Sequence, residues 1–431
     1  MAAPRAQTMT SKLLARAAGT GRADPGAIVL PAVDLVTCPD GTTFIDTFEA
    51  NGWHVWDPAK VIFCFDHTFQ PDWMPAAAVR EHPKIRKFAA AEGIPPGQVY
   101  DFGRNGLSHQ IPVEDGWALP GSVVIGLDTQ SSTMGAVNCF AMPSMWGTDA
   151  ILLTGDVWLQ VPEAIDVRLE GELPPGVTGK DVGYQLLRDL AGVVNGRVVE
   201  FSGPGIASLS VDVRMAIANS AVQTGALTMI FPPDDRLLSY VRPRARKPFE
   251  PVSPDADAPY VLTHTVDLSA VRPLVAGPHD ITRVRELDDV LGLGLDAVNI
   301  GSCSSGRHSD LALAAEILRG RSVADGVRLV VTPISAAVAR EAAADGTLAT
   351  LLAAGATVTQ PGCGGCYHGN LSPLKLGDGE RCLSTSVETL RGRMGSSAAE
   401  ILLGNAAVAA ASAIAGVIAD PAAYLPEGAR S

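Results

Sequence analysis

Short apolar runs alternate with longer helical patterns along the whole chain. Residues 61–65 (VIFCF), 122–127 (SVVIGL) and 165–169 (IDVRL) read as strands, each followed by a loop or a helical segment. With glycines at many of the joins, the pattern is that of α/β architecture. In the last third, residues 295–300 (LDAVNI), 327–332 and 356–360 (ATVTQ) read as further strands. Helices are expected from about Ser309 to Leu318, after Ser335 and around 347–354. Residues 401–419 carry no charge and are rich in alanine. They are long enough to span a bilayer, but small residues favour close packing in a protein interior, so a buried helix is expected. The proline- and charge-rich stretch 231–259 reads as an exposed connection, with Arg242, Arg244, Arg246 and Lys247 on a solvated loop. Cys64 falls inside an apolar strand and Cys139 in an apolar helix-like stretch.

Composition narrows the class. The 431 residues predict two to four domains. An apolar content of 47% with only 18% charged residues excludes a disordered chain. A net charge of −13 without a basic stripe argues against nucleic acid as a partner. Residues 1–22 lack the apolar stretch of a secretory signal, and no short-period repeat is present. Seven cysteines in a chain this long are too few and too uneven for a disulfide scaffold, which favours the reduced cytoplasm.

Three of those cysteines sit where chemistry is expected. Cys303 follows the 295–300 strand, and Cys363 and Cys366 follow the 356–360 strand in a glycine-rich C-x-x-C loop. Ligands bind beyond the C-terminal strand ends of open α/β sheets. A C-x-x-C alone fits a zinc half-site, a redox pair or an iron–sulfur half-site. A closed zinc site would want a fourth ligand, for which Cys382 or His368 is available. Three thiolates would instead suit a cubane cluster with one iron left open as a Lewis acid.

The flanking residues carry a resemblance. Residues 300–321 (IGSCSSGRHSDLALAAEILRGR), the PGCGGC loop and residues 382–416 (CLSTSVETLRGRMGSSAAEILLGNAAVAAASAIAG) resemble the aconitase superfamily. More narrowly they are similar to the large subunits of 3-isopropylmalate dehydratase and homoaconitase, in the shorter archaeal-type form. The spacing of Cys303 and Cys363 agrees, as do FDHTFQP (65–71), GRNGLSHQ (103–110), GLDTQSSTMGA (126–136) and VEFSGPGI (199–206). The resemblance implies a three-domain α/β aconitase-like iron–sulfur fold, divided at 1–163, 164–272 and 273–431. It implies a [4Fe-4S] cluster with one open iron, held by Cys303, Cys363 and Cys366 in the last domain. It also implies hydro-lyase activity, the stereospecific dehydration and rehydration of a small malate-type hydroxy acid.

The same resemblance assigns acid–base roles to Asp66 with His67, and to His109 with Asp128. The family's D-S-H motif reads Asp128-Thr129-Gln130 here, and the glutamate that partners its histidine falls on Gln223. A titratable pair has thus become two amides able to hydrogen-bond each other but not to shuttle protons. Where the family has Asn-Arg-Asn-Phe, this chain has Val387-Glu388-Thr389-Leu390, so a carboxylate-gripping arginine is replaced by Glu388. Arg393, the second family arginine, remains, with Arg391 nearby, and Ser304-Ser305 replaces Thr-Asn. Thr129, Gln130, Gln223, Glu388 and Arg393 are the expected substrate-binding positions. An altered substrate follows; a decayed homologue with a structural or iron- or oxygen-sensing cluster is the alternative. The family's carbon-proton base lies on a swivel domain marked by Y-G-x-G-S-S-R, a run missing here, so a small swivel-domain subunit is the expected partner in a heterodimer.

Overall fold

The computed structural model describes residues 6–41, 43–67, 76–144, 147–366 and 374–426. Three largely parallel sheets follow one another along the chain. The first has the order Val99–Tyr100, Val61–Cys64, Leu35–Cys38, Val123–Gly126, Phe140–Pro143, all parallel. The second runs Thr228–Ile230, Val198–Ser202, Ala164–Glu170, Thr263–Asp267 and is also parallel. The third has seven strands: Val284–Glu286, Leu274–Ala276, Glu400–Leu403, Arg381–Ser384, Ala297–Gly301, Arg328–Thr332 and Thr357–Val358. Its last five are parallel, and the first two form an antiparallel edge. The α/β class is therefore as the apolar pattern predicts. The central strands Leu35–Cys38, Val61–Cys64, Val123–Gly126 and Ala297–Gly301 are buried at every residue, as strands covered on both faces must be.

Strand order locates the crevices. In the first sheet the chain leaves Leu35–Cys38 toward one edge and returns to Val123–Gly126 on its other side. In the third it leaves Ala297–Gly301 toward Thr357–Val358 and returns to Arg381–Ser384. Each reversal opens a gap beyond the C-terminal strand ends, where the two diverging loops leave room for a ligand. The two edges meet: Cys363 donates its backbone N–H to the Asp66 carbonyl at 2.9 Å, and Asn105 donates its amide to the Pro361 carbonyl at 2.8 Å.

One expectation needs correction. The charge-free 401–419 run is not one helix. It supplies the buried strand Glu400–Leu403 and then the helix Ala406–Ala415, capped by Asn405, whose Oδ1 accepts from the Val408 N–H at 2.8 Å. Gly404-Asn405 breaks it, because asparagine satisfies an orphan first-turn donor. No helix among the described residues is long and apolar enough to cross a membrane. The 231–259 stretch is an exposed connection as expected, a crossover within the second sheet that carries the helix Asp235–Val241 and leaves Arg242, Arg244, Arg246 and Lys247 exposed. Three of these cations find surface contacts: Arg244 stacks on Tyr240, Arg246 on Trp117, and Lys247 lies 3.8 Å from Asp34. Cys64 lies in a strand as expected, whereas Cys139 directly precedes the strand Phe140–Pro143, after a 3₁₀ turn over Thr129–Val137.

Candidate active site

At the first sheet's reversal, three strand ends deliver acidic residues to one imidazole. Asp40 follows Leu35–Cys38, Asp66 and His67 follow Val61–Cys64, and Asp128 follows Val123–Gly126. His67 Nδ1 lies 2.7 Å from Asp66 Oδ1 and 3.6 Å from Asp40 Oδ1, and its Nε2 lies 3.4 Å from Asp128 Oδ2. The second Asp66 oxygen accepts from the Ser108 N–H at 2.9 Å, which fixes the carboxylate plane. Asp128 caps the following turn by accepting from the Gln130 N–H at 2.7 Å. His109 is 1% exposed; its Nδ1 lies 3.1 Å from Asp128 Oδ1 but outside hydrogen-bonding alignment, and neither ring nitrogen has a hydrogen-bond partner.

The electrostatics follow from this crowding. Burial opposes the charge on His67, but Asp66, Asp128 and Asp40 outweigh it and hold its pKa well above the usual imidazole value. Asp128 is depressed well below the usual carboxylate range, because His109 and His67 overcome the burial penalty. Burial raises Asp66, with His67 opposing and Asp40 and Asp128 adding to the rise. Asp66 and His67 thus form a unit that retains a proton near neutral pH while Asp128 stays anionic.

Across the crevice, the third sheet presents three buried thiols. Cys303 lies in the turn Ser302–Ser305, directly after its strand. Gly301 permits that turn: its φ is 127°, and a Cβ there would fall 2.0 Å from the Thr332 carbonyl. Cys366 is drawn well below the usual thiol range by the adjoining Cys363 thiol, against burial, and by Arg393. The guanidinium donates to the Cys366 carbonyl and lies 3.8 Å from its sulfur. Burial and the Cys366 charge push Cys303 up to about 12, and Cys363 rises through Cys366 and burial.

The donor set fits an iron–sulfur group better than a single ion. All seven cysteines are free, and because the charge on Cys366 raises both Cys303 and Cys363, all three become thiolates together only around a cationic core. A lone zinc ion with bonds of about 2.3 Å holds its sulfurs about 3.8 Å apart. Among the described residues, the only three His, Cys, Asp or Glu ligand atoms within 4.8 Å of one another come from Asp40, Asp66 and His67. Cys303, Cys363 and Cys366 do not all lie within that distance of one another, so the three thiols are not gathered for a single small ion. Cys382 is buried within its own strand. His368, the other candidate fourth ligand, and residues 68–71 of the FDHTFQP run lie outside the described residues.

Between the two edges is a cavity of about 670 Å³ whose lining includes Asp40, His67, Asp128, Thr129, Glu388 and Arg393. Glu388 is partly buried, and its carboxylate is raised by desolvation and by the Cys366 charge, with Arg393 opposing. Of the twelve expected residues, His67, Asp128, Thr129, Glu388 and Arg393 line this cavity, and Asp66, His109, Cys363 and Cys366 adjoin them. Gln130 is buried with Oε1 unpartnered, whereas Gln223 lines a narrow cavity beside Lys180 and Tyr184. No hydrogen bond joins the two amides, so the expected Gln–Gln pair is not formed.

Three participants escaped the sequence reading. Asp40 sits in a Cys-Pro-Asp-Gly run that resembles an ordinary turn. His82 stacks on Phe65 and reaches Asp40 Oδ2 at 3.2 Å. Lys180, 5% exposed, reaches the Cys303 turn from the second sheet's helix Gly179–Leu190. Its signal was position: a lysine in a first helical turn opposes the helix dipole and calls for a reason.

Comparison with known proteins agrees with this arrangement. The sequence profile of the aconitase family (aconitate hydratase) matches residues 28–294 and 288–416. The chain belongs to the aconitase family, and is an α/β hydro-lyase of that family, whose enzymes use an iron–sulfur cluster. Within it, the chain is 40% identical over 425 residues to the 3-isopropylmalate dehydratase large subunit 1 of Methanopyrus kandleri, covering 97% of this chain and 100% of that one. It is 40% identical to the probable 3-isopropylmalate dehydratase large subunit of Methanothermobacter thermautotrophicus, over 96% of this chain and 98% of that one. It is 38% identical to the probable methanogen homoaconitase large subunit of the same organism, over 96% and 97%.

Proposed function

We propose that this chain is the large subunit of a cytoplasmic [4Fe-4S] hydro-lyase that dehydrates and rehydrates a malate-type hydroxy acid, with its active site completed by a small swivel-domain subunit. The three sheets correspond in this reading to domains at 1–163, 164–272 and 273–431. The observation that carries it is the 2.9 Å bond from Cys363 N to Asp66 O, which sets the C-x-x-C loop directly against the proton-holding Asp66–His67 pair where the two sheet edges meet.

Cys303, Cys363 and Cys366 would hold the cluster, which supplies Lewis-acid chemistry toward a hydroxyl when bound. The chain's own residues do the rest. Asp66 accepts from His67 Nδ1–H and holds the ring as an imidazolium, so that Nε2–H is the proton available to the departing hydroxyl. Asp128 sets the orientation of Nε2 from the opposite side. Arg393 presents a guanidinium to one substrate carboxylate. The base for the carbon proton comes from the partner subunit.

Glu388 defines the departure from the relatives. Its carboxylate in the cavity wall repels a second anionic group, so the favoured substrate carries a neutral polar or amine-bearing group there. The test is anaerobic reconstitution with the cluster and the small subunit, followed by ultraviolet detection of the unsaturated acid from a panel of hydroxy acids. Substrates with an uncharged or amine-bearing arm are expected to turn over, and Glu388→Arg should shift preference toward isopropylmalate-like diacids. Absence of turnover on the whole panel with an intact cluster would overturn the enzymatic reading in favour of a sensor.

A further inference from the structure

Lys180 is a buried cation without a carboxylate. Its ammonium donates to Ser304 Oγ at 2.9 Å, the Thr385 carbonyl at 3.1 Å and the Ser386 carbonyl at 2.6 Å. All three N–H groups are used, and every acceptor is neutral. Among the described residues no Asp or Glu oxygen lies within 4.0 Å of it. Its neighbour on the same helix, Asp181, is already committed to the Thr178 and Leu274 N–H groups and the Asn405 amide. A buried charge is expensive unless an opposite charge answers it, and burial accordingly lowers the Lys180 pKa to about 8, against the raising influence of Cys303, Asp181 and Cys366.

The three acceptors show what the lysine spans. Ser304 follows Cys303 on the loop leaving Ala297–Gly301. Thr385 and Ser386 lie on the loop leaving Arg381–Ser384, the adjacent strand across the third sheet's reversal. Two neutral bonds already lace these loops: Ser304 Oγ to the Thr385 carbonyl at 2.6 Å, and the Gly301 N–H to Thr385 Oγ1 at 2.8 Å. Geometry alone is therefore served without a charge. The groups that want a cation at this point are the thiols, Cys303 above all, one residue from the lysine's partner.

We infer that Lys180 is a positioning residue of the thiolate centre: it staples the two loops at the sheet's reversal and acts as the fixed countercharge to the cysteine-held group. The inference rests on Cys303, Cys363 and Cys366 being the cluster ligands. An ammonium here stabilises three thiolates in a water-poor setting and favours the reduced, more negative state of a cluster they hold, raising its potential.

The experiment uses the full chain, reconstituted anaerobically with iron and sulfide, as wild type, Lys180→Met and Lys180→Arg. Readouts are iron and sulfide content, cluster lifetime under chelator, the midpoint potential followed by electron paramagnetic resonance, and the melting temperature of the cluster-free proteins. Lys180→Met should move the midpoint to a more negative potential and shorten cluster lifetime by about tenfold. Its cluster-free protein should melt no lower than wild type, because a buried charge without an opposite charge has been removed. Lys180→Arg should restore the potential. An unchanged potential and lifetime in Lys180→Met would reduce the lysine to a loop tie and overturn the countercharge. If wild type takes up no cluster, the ligand reading fails and the inference falls with it; if wild type loads and only the potential of Lys180→Met stays put, the ligand reading stands and this inference alone is lost.

Discussion

The loop that carries His109 is held against the third sheet by a carboxylate whose ionisation should set the pH dependence of stability. Glu114 ends the short helix Ile111–Glu114, and its Oε1 accepts from Gln110 Nε2 at 2.8 Å and from Ser335 Oγ at 2.9 Å. Its Oε2 is sealed from solvent without a partner. The surroundings are tight: the Leu107 N–H donates to the Ile334 carbonyl at 3.1 Å, the Ala336 N–H to the Asn105 carbonyl at 2.8 Å, and a Cβ on Gly106 would lie 2.6 Å from that of Ser335. Desolvation therefore raises Glu114 from 4.5 to about 7, although Gln110 and Ser335 favour its charged form. Below pH 4.5 both folded and unfolded chains are protonated and nothing is lost. Between 4.5 and about 7 the unfolded chain releases the proton while the folded one keeps it, so stability falls as pH rises. The full loss is about 3 kcal/mol. Glu114→Gln keeps the shape but cannot ionise. Any packing change it makes is a constant offset, whereas the wild-type deficit grows with pH. The difference in melting temperature between the two proteins, measured by circular dichroism at pH 5 and pH 8, should change by roughly 3–4 °C in favour of the variant, for 431 residues melting together. Parallel curves for the two proteins across that range would refute the argument.

Two further outcomes bear on the cluster and on the joint between sheets. Cys303→Ser, Cys363→Ser and Cys366→Ser should each lose most of the iron bound on anaerobic reconstitution, while Cys382→Ser retains it; equal loss from Cys382→Ser, read by iron and sulfide analysis, would put the ligand set elsewhere. Asn405→Ala removes the cap on Val408 N and two bonds, to the Gly176 carbonyl at 2.9 Å and Asp181 Oδ2 at 2.7 Å. Asp181 Oδ2 keeps the Thr178 N–H, so with the cap contributing about 1 kcal/mol and the stranded Gly176 carbonyl about 1–3, urea unfolding should show a loss of about 2–4 kcal/mol.

The sequence disclosed the site more fully than the paths between its parts. VIFCF and SVVIGL became strands because parallel strands covered on both faces must be apolar throughout, and IDVRL became one through its alternation, with Ile165, Val167 and Leu169 buried and Arg168 exposed. The cysteines were legible because their glycines are required: no side chain fits at Gly301 against the Thr332 carbonyl, or at Gly362, whose Cβ would lie 2.7 Å from the Asp66 carbonyl. The 401–419 run misled because apolarity reports burial and not element type; its Gly404-Asn405 break held the answer. Asp40 and Lys180 were hidden for another reason. Neither stands in a motif, and each matters only through partners far along the chain, His67 and His82 for the first, Ser304 and Thr385 for the second. The amides Gln130 and Gln223 show the converse: a pairing carried over from a resemblance does not survive when both members change, because two neutral side chains lack the attraction that would draw them together.

That last contrast also explains what the altered positions leave intact. The side chains of Gln130, Gln223 and Glu388 could change because none of them bonds to the network that ties the two sheet edges together; Gln130 meets Asp128 only through its backbone N–H. Asp66 is in the opposite position. One carboxylate oxygen meets His67 Nδ1, the other takes the Ser108 N–H, and its backbone carbonyl takes the Cys363 N–H. The proton-holding pair and the C-x-x-C loop thus share a residue, and a shift in one displaces the other. A chain free to lose its original chemistry has no reason to keep Asp128 anionic against burial and His67 charged beside it, since unpaired buried charges are costly. The charges persist around His67, while at Glu388, the position proposed to meet the substrate's far end, the sign differs from that of the arginine expected from the resemblance. Chemistry retained with recognition altered is the simplest account of both.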